Sequence, residues 1–296
     1  MVKPALAATR AAAVLDYLSM RPGRPCTLTE IAGALRVSPA SMLSVLAALT
    51  NAGYLVRHPA HKTYVVGPAV VALGQAAMVQ NPVVPAADRE LALLADELEA
   101  QCAASVLMGQ EIVAVAVSGR TRRPGTWTRV GIRAPFVAPF GVPFAAFGSD
   151  ACRMAWRGVH GDAIGPALDR ALAVVRARGY AVNRDGDARE RLGVALASLG
   201  DEPANHRLRR EVDSLVALHT EDFLVLNLDQ VDAPSDISHV TVPVFGPDDE
   251  VVMILTSGGF ARPLGGADVE ALADRLKASA EAIALEAFGR VTTPTT

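Results

Sequence analysis

The sequence predicts an α+β chain in two parts: a small helical head ending in a β-hairpin, then a larger body built on an antiparallel sheet. Three observations carry this reading. Residues 1–66 run helix, helix, turn, helix, hairpin. The body's strands come in hairpins rather than as alternating βαβ units. Charge also divides: the first 80 residues hold seven basic and two acidic side chains, the remainder 21 basic and 29 acidic. A basic head on an acidic body is the footprint of polyanion binding confined to one part.

In the head, residues 5–20 read as a helix with Leu6, Ala13, Val14, Tyr17 and Leu18 on one face. "RPGRP" breaks it. Thr27 and Glu30 then stand at capping-box spacing and open a second helix, with Ile31 and Leu35 facing inward. "RVS" turns the chain. Ser38 suits an N-cap and Pro39 a first helical position. In the third helix Met42, Val45, Leu46 and Leu49 form the buried stripe, and Gly53 suits the residue after the helix. Tyr54–Arg57 and Thr63–Val66 read as strands around "HPAHK". This is the order of a winged helix-turn-helix.

A linker helix is expected over 68–80, with a break at "NPVVP". The expected division is 1–66 head, 67–84 linker, 85–290 body and 291–296 frayed tail. The body opens with an amphipathic helix over 86–101. Strands "CAASVLMG" and "EIVAVAVSG" follow as a hairpin. Helices are predicted near 163–178, 187–199 and 203–219. Strands are predicted at 222–228, 238–245 and 250–257, and a last helix ends near Phe288.

Composition excludes several classes. The chain is 51% hydrophobic over 296 residues, enough for substantial cores. Cys26, Cys102 and Cys152 lie far apart, which argues against a disulfide framework or zinc site. His58 and His61 have no acidic or cysteine neighbour, so no metal is expected. The longest uncharged run, Thr63 to Ala87, is broken by Gly67, Pro68, Gly74, Pro82 and Pro85. With no signal segment in view, no membrane partner is expected and the reading is cytoplasmic. GxSxG, HExxH and P-loop motifs are missing, so the chain does not read as an enzyme and no cofactor is expected.

The stretches "TLTEIAGALRVSPASMLSVLAALTNAGYL", "KTYVVGPAVVALG", "ELALLADELEAQCAASVLMG", "VGIRAPFVAPFG", "RARGYAVN" and "VPVFGPDDEVVMILTSGG" resemble the IclR family of bacterial transcription regulators. The resemblance covers nearly the whole chain and is patchy after residue 185. It implies a winged helix-turn-helix joined by a linker helix to a GAF-like effector domain. It also implies a regulator that binds double-stranded promoter DNA as a homodimer or tetramer and senses a small molecule. Ser44 stands where the family usually carries Arg, and Val142 where it usually carries Lys. Residues 188–234 have no clear counterpart.

For DNA, the outward face of the third helix is expected to carry Ala40, Ser44, Ala47 and Asn51, flanked by Ser41. Ser38 offers backbone donors at the helix start. Such a face lacks a bidentate Arg–guanine contact, so affinity must come from phosphate contacts. Their candidates are Arg36 at the turn and Arg57, His61 and Lys62 on the wing, with Lys3, Arg10, Arg21 or Arg24. A helix without charge leaves an alternative open: a sensor or protein-interaction module whose winged helix has lost operator binding. For the effector, the resemblance implies Pro139, Phe140, Gly141, Asn183, Asp185, His239, Thr256 and Gly258, and Phe144 joins them as an aromatic side chain of the same stretch. Phe140, Phe144 and Phe147 point to a greasy pocket for a larger apolar ligand. The alternative is that these rings fill core.

Overall fold

The computed structural model describes residues 5–120, 128–158, 161–184, 205–228 and 236–290, with 191–192, 194–196 and 198–199 between them. Lys3, Asp185 and the expected tail lie outside the described residues. The chain forms two compact units, Met1–Gln80 with Ala195–Glu211, and Asn81–Val194 with Val212–Thr296.

In the first unit, α1 (Leu6–Ser19), α2 (Leu28–Ala34) and α3 (Pro39–Asn51) pack with a three-stranded sheet. Its strands are β1 (Cys26–Thr27), β2 (Leu55–Arg57) and β3 (Thr63–Val66), in the order β1-β3-β2. Val14, Leu18, Ile31, Met42, Leu46, Leu55 and Tyr64 form the core. Local chemistry sets the helix starts. Thr27 Oγ1 accepts from Glu30 N while the Glu30 carboxylate accepts from Thr27 N at 2.7 Å. Ser38 Oγ accepts from Ser41 N, and Pro39 opens α3. Leu6 departs from expectation: it is 62% exposed, because only the C-terminal half of α1 meets the core. The two-residue β1 was not foreseen. It exists only because Cys26 and Thr27 pair with Tyr64 and Thr63. Helix α4 (Ala69–Gln80) has no buried residue.

The second unit is a six-stranded sheet, each neighbouring pair antiparallel. Its strands are β4 (Gln101–Met108), β5 (Glu111–Ser118), β6 (Arg133–Pro135), β7 (Ala181–Arg184), β8 (Ile237–Phe245) and β9 (Val251–Gly258), in the order β6-β5-β4-β9-β8-β7. One face packs on α5 (Val83–Leu98) and the last helix, α10 (Gly266–Phe288). There Leu91, Leu94, Leu276 and Ile283 meet Val240, Val242, Val244, Met253 and Leu255. Each such side chain contributes roughly 1.5–3 kcal/mol relative to exposure. The other face carries α6 (Val142–Phe147), α7 (Asp150–Arg157), α8 (Gly161–Arg178) and, from Val212 onward, α9 (His206–Leu228). Its core gathers Ile112, Phe144, Trp156, Leu168, Leu172, Phe223 and Ile254.

The predicted strand 222–228 is a correction. These residues continue α9, a single helix from His206 to Leu228. Val212, Val216 and Phe223 are buried along one helical face, and Thr220 Oγ1 lies 3.0 Å from Ala138 O. Helical spacing from an apolar anchor outweighs the β-like composition of "FLVL". No single helix among the described residues is long and apolar enough to cross a membrane.

Candidate functional site

Two places in the structure concentrate the predicted residues. In the first unit, Ala40, Leu43, Ser44, Ala47 and Asn51 recur along α3 at spacings of three, four and seven, and all are exposed. Ser41 is half-buried. Leu43, 52% exposed, joins this face although it is apolar; its spacing of one residue from Met42 puts it out of phase with the buried stripe. The Ser44 hydroxyl donates back to Ala40 O at 3.4 Å, and its oxygen can still accept a hydrogen bond. Arg36 is exposed and sits in the left-handed region at the turn before α3. On the wing, Arg57 lies 6.0 Å from the Tyr64 ring centre. The His58 and His61 rings stack at 4.5 Å, and His61 N donates to His58 Nδ1. Lys62 closes this turn, its N–H donating to His58 O at 2.9 Å. Arg21 is a correction. It is only 8% exposed, donates to Tyr17 O at 2.7 Å and lies 3.6 Å over the Tyr17 ring. That side chain braces α1 and does not present its charge to a phosphate.

In the second unit, a cavity of about 120 Å³ opens between the sheet and the loop leading into α6. Of the nine expected ligand contacts, Pro139, Phe140, Gly141, Asn183, His239 and Thr256 border it. Strand register brings them together. Asn183 pairs with His239, Ala181 with Thr241, and Thr241 with Thr256. Residues two apart share a face, so 181 and 183, 239 and 241, 254 and 256 all line the same wall. That alternation was the signal that would have found Ala181, Thr241 and Ile254. Ser105, Ile112 and Ala134 join through β4, β5 and the edge strand β6, which only the sheet pairing reveals.

Asn183 Nδ2 and His239 Nε2 are 3.0 Å apart, and Ser238 Oγ is 2.8 Å from His239 Nδ1. An amide nitrogen only donates, so Nε2 accepts and Nδ1 carries the ring hydrogen toward Ser238. The Thr241 and Thr256 hydroxyls bond each other at 3.1 Å. Trp156 Nε1 donates to Phe140 O at 2.6 Å and fixes the loop above the sheet.

Phe144 does not border the cavity. It is buried edge-on against Phe136, on the core side of α6. Phe147 packs on Phe245, so the expectation of a pocket lined by several rings reduces to Phe140. Gly258 does not border it either. A Cβ there would stand 2.5 Å from Ser238 O and 3.0 Å from His239 Cβ, so this glycine makes room for His239. Cys152 is half-buried with its thiol 3.5 Å from Phe144 O, and burial pushes that thiol up. No group of three or more metal-ligating side chains occurs among the described residues.

Residues 7–59 match the IclR helix-turn-helix domain. No curated protein matches the chain significantly in sequence. Among solved structures, an IclR transcriptional regulator from Alicyclobacillus acidocaldarius is 23% identical with a TM-score of 0.68, over 96% of this chain and 100% of that one. HmgR of Pseudomonas aeruginosa is 20% identical at a TM-score of 0.63, over 96% and 99%. An IclR homolog from Microbacterium hydrocarbonoxydans, complexed with 4-hydroxybenzoate, is 14% identical at 0.64, over 96% and 99%. The chain thus carries an IclR helix-turn-helix domain at residues 7–59 and, over nearly its whole length, the fold of the IclR transcriptional regulators.

Proposed function

We propose that this chain is a cytoplasmic transcription regulator that binds promoter DNA as a homodimer or dimer of dimers and changes its DNA binding when a small organic molecule enters the second unit. The observation that carries the reading is the α3 face itself. It is a stripe of small side chains, Ala40, Ser44, Ala47 and Asn51, flanked by exposed Arg36, Arg57 and Lys62, inside an IclR-type domain. Small side chains let a helix backbone approach the groove floor, and the cations neutralise phosphates. The solved relative holding 4-hydroxybenzoate supports a small ring-sized effector. Exposed Val71, Leu73, Met78 and Val79 on α4 support pairing of protomers through that helix.

The test is a fluorescence anisotropy titration of the full chain against DNA upstream of its own coding region, with random duplex as control, at two salt concentrations. Preference for its own DNA with a steep salt dependence is expected. Replacing both Arg57 and Lys62 by Ala should reduce the log–log salt slope by about 2 for each head on the DNA, roughly 0.9 per phosphate lost, and so by about 3.6 for a bound homodimer. Absence of salt-dependent binding to any duplex at low salt would refute the DNA reading. It would favour the alternative that the uncharged, Leu43-bearing face of α3 meets a protein.

A further inference from the structure

The cavity of the second unit is specific about what it admits. Asn183 is 3% exposed and borders the cavity, and its Oδ1 is buried without a hydrogen-bond partner. Its Nδ2 is committed to His239, whose Nδ1 faces Ser238. The Thr241 and Thr256 hydroxyls bond each other. Among the described lining residues, Asn183 Oδ1 is the buried side-chain atom without a hydrogen-bond partner, and it is an acceptor. A buried acceptor without a donor is costly, and a ligand that supplies one recovers that cost.

The walls define the rest of the ligand. Ile112, Pro139, Phe140, Val142 and Ile254 offer apolar surface, and no described lining side chain carries a formal charge. A carboxylate placed here would bring two more acceptors against Oδ1 and lose its hydration without a cation to replace it. Size sets a limit as well. The cavity of about 120 Å³ is slightly smaller than the ~150 Å³ apolar cavities that hold benzene, so a single ring fills it.

We propose that the cavity takes an uncharged, single-ring molecule whose hydroxyl donates to Asn183 Oδ1, a phenol rather than a carboxylic acid. This rests on the reading of the cavity as the effector site. Pairing of Asn183 with His239 then has a consequence for recognition. The imidazole holds the amide with its oxygen toward the ligand, so His239 acts as a positioning residue for the acceptor.

The test is calorimetric titration of the unaltered full chain with phenol, benzoate and 2-naphthol. Phenol should bind, benzoate about tenfold or more weaker, and 2-naphthol weaker still. In Asn183→Leu, checked for an unchanged melting profile, phenol affinity should fall about tenfold. Benzoate binding as tightly as phenol would overturn the uncharged class while leaving the sensor reading intact. If neither ring binds at millimolar concentration, both fall. Equal affinity for 2-naphthol and phenol would overturn the size limit. Undiminished phenol binding by a folded Asn183→Leu chain would overturn the role given to Oδ1. The series on the unaltered chain reads ligand class even if that variant does not fold.

Discussion

Gly141, at the start of α6, meets two separate demands, and replacing it by Ala exposes both. Its backbone lies at φ 64° and ψ 31°, the left-handed region, where a Cβ costs roughly 1 kcal/mol. An added Cβ would also stand 2.5 Å from Ile112 Cδ1 and 3.3 Å from Phe136 Cδ2. Comfortable carbon contacts begin near 3.5 Å, so Ile112 must retreat by about 1 Å. The obstructing atom is the end of a flexible side chain, and leaving its rotamer costs roughly 0.5–1.5 kcal/mol. Gly141→Ala should therefore destabilise by about 2 kcal/mol. For a unit of this size that lowers the melting temperature by about 4–8 °C in calorimetry of the full chain. The two costs separate in a double-mutant cycle. Ile112→Val removes Cδ1, so the glycine substitution should cost about 1 kcal/mol less in that background. Gly33→Ala is the control: it lies within α2, with nothing within 4 Å of an added Cβ, and should be neutral or slightly stabilising. A melting temperature unchanged by Gly141→Ala, or a cost that Ile112→Val leaves untouched, would refute the reasoning.

Three further outcomes are expected. Thr27→Ala and Ser38→Ala each remove an N-cap acceptor and should cost about 1 kcal/mol in urea unfolding followed by circular dichroism; losses near zero would mean the caps are idle. The Arg262 guanidinium, with the Gly265 N–H, holds the Asp268 carboxyl down to about 2, below its usual 3.8. Because the folded-state value is the lower one, this stabilisation is complete above the unfolded value near 3.8 and disappears as pH falls through about 2. The stability difference between the native chain and Asp268→Asn should accordingly shrink between pH 4 and pH 2, and a difference constant across that window would count against the pairing. Burial pushes the Cys102 thiol up to about 11 from 9.0. At pH 8 it should label with a thiol reagent about a hundredfold more slowly than an ordinary cysteine until urea unfolds the chain; prompt labelling of the native protein would contradict its placement.

What was legible in the sequence was local. Thr27 with Glu30, and Ser38 with Pro39, announce helix starts because a cap is satisfied within three residues of itself. The buried stripe of α3 follows from spacing alone. What was not legible depends on partners far away in sequence. Strand β1 exists only by pairing with β3, and the length of α9 reflects a core that Phe223 shares with Trp156, their rings 6.3 Å apart. The cavity shows the same division. Asn183 and His239 were named separately, yet their contact across 56 residues comes from the pairing of β7 with β8. Phe144 was assigned to the ligand because composition does not tell which side of a short helix a ring takes.

The cavity wall and the hydrophobic core are opposite faces of the same strands. His239 and Thr241 alternate with Val240 and Val242, and Ile254 and Thr256 with Met253 and Leu255. Inserting or deleting one residue inside β8 or β9 would exchange the two sets, sending hydroxyls into the core and valines into the cavity. Such strands tolerate substitution but not a change of length. The connection from β7 to β8 is under no such constraint: both of its ends are strand termini, and residues added between them leave parity intact. That is where α9 lies. A lineage built on this sheet would therefore vary its site by point changes on alternate residues, and vary its length between these two strands.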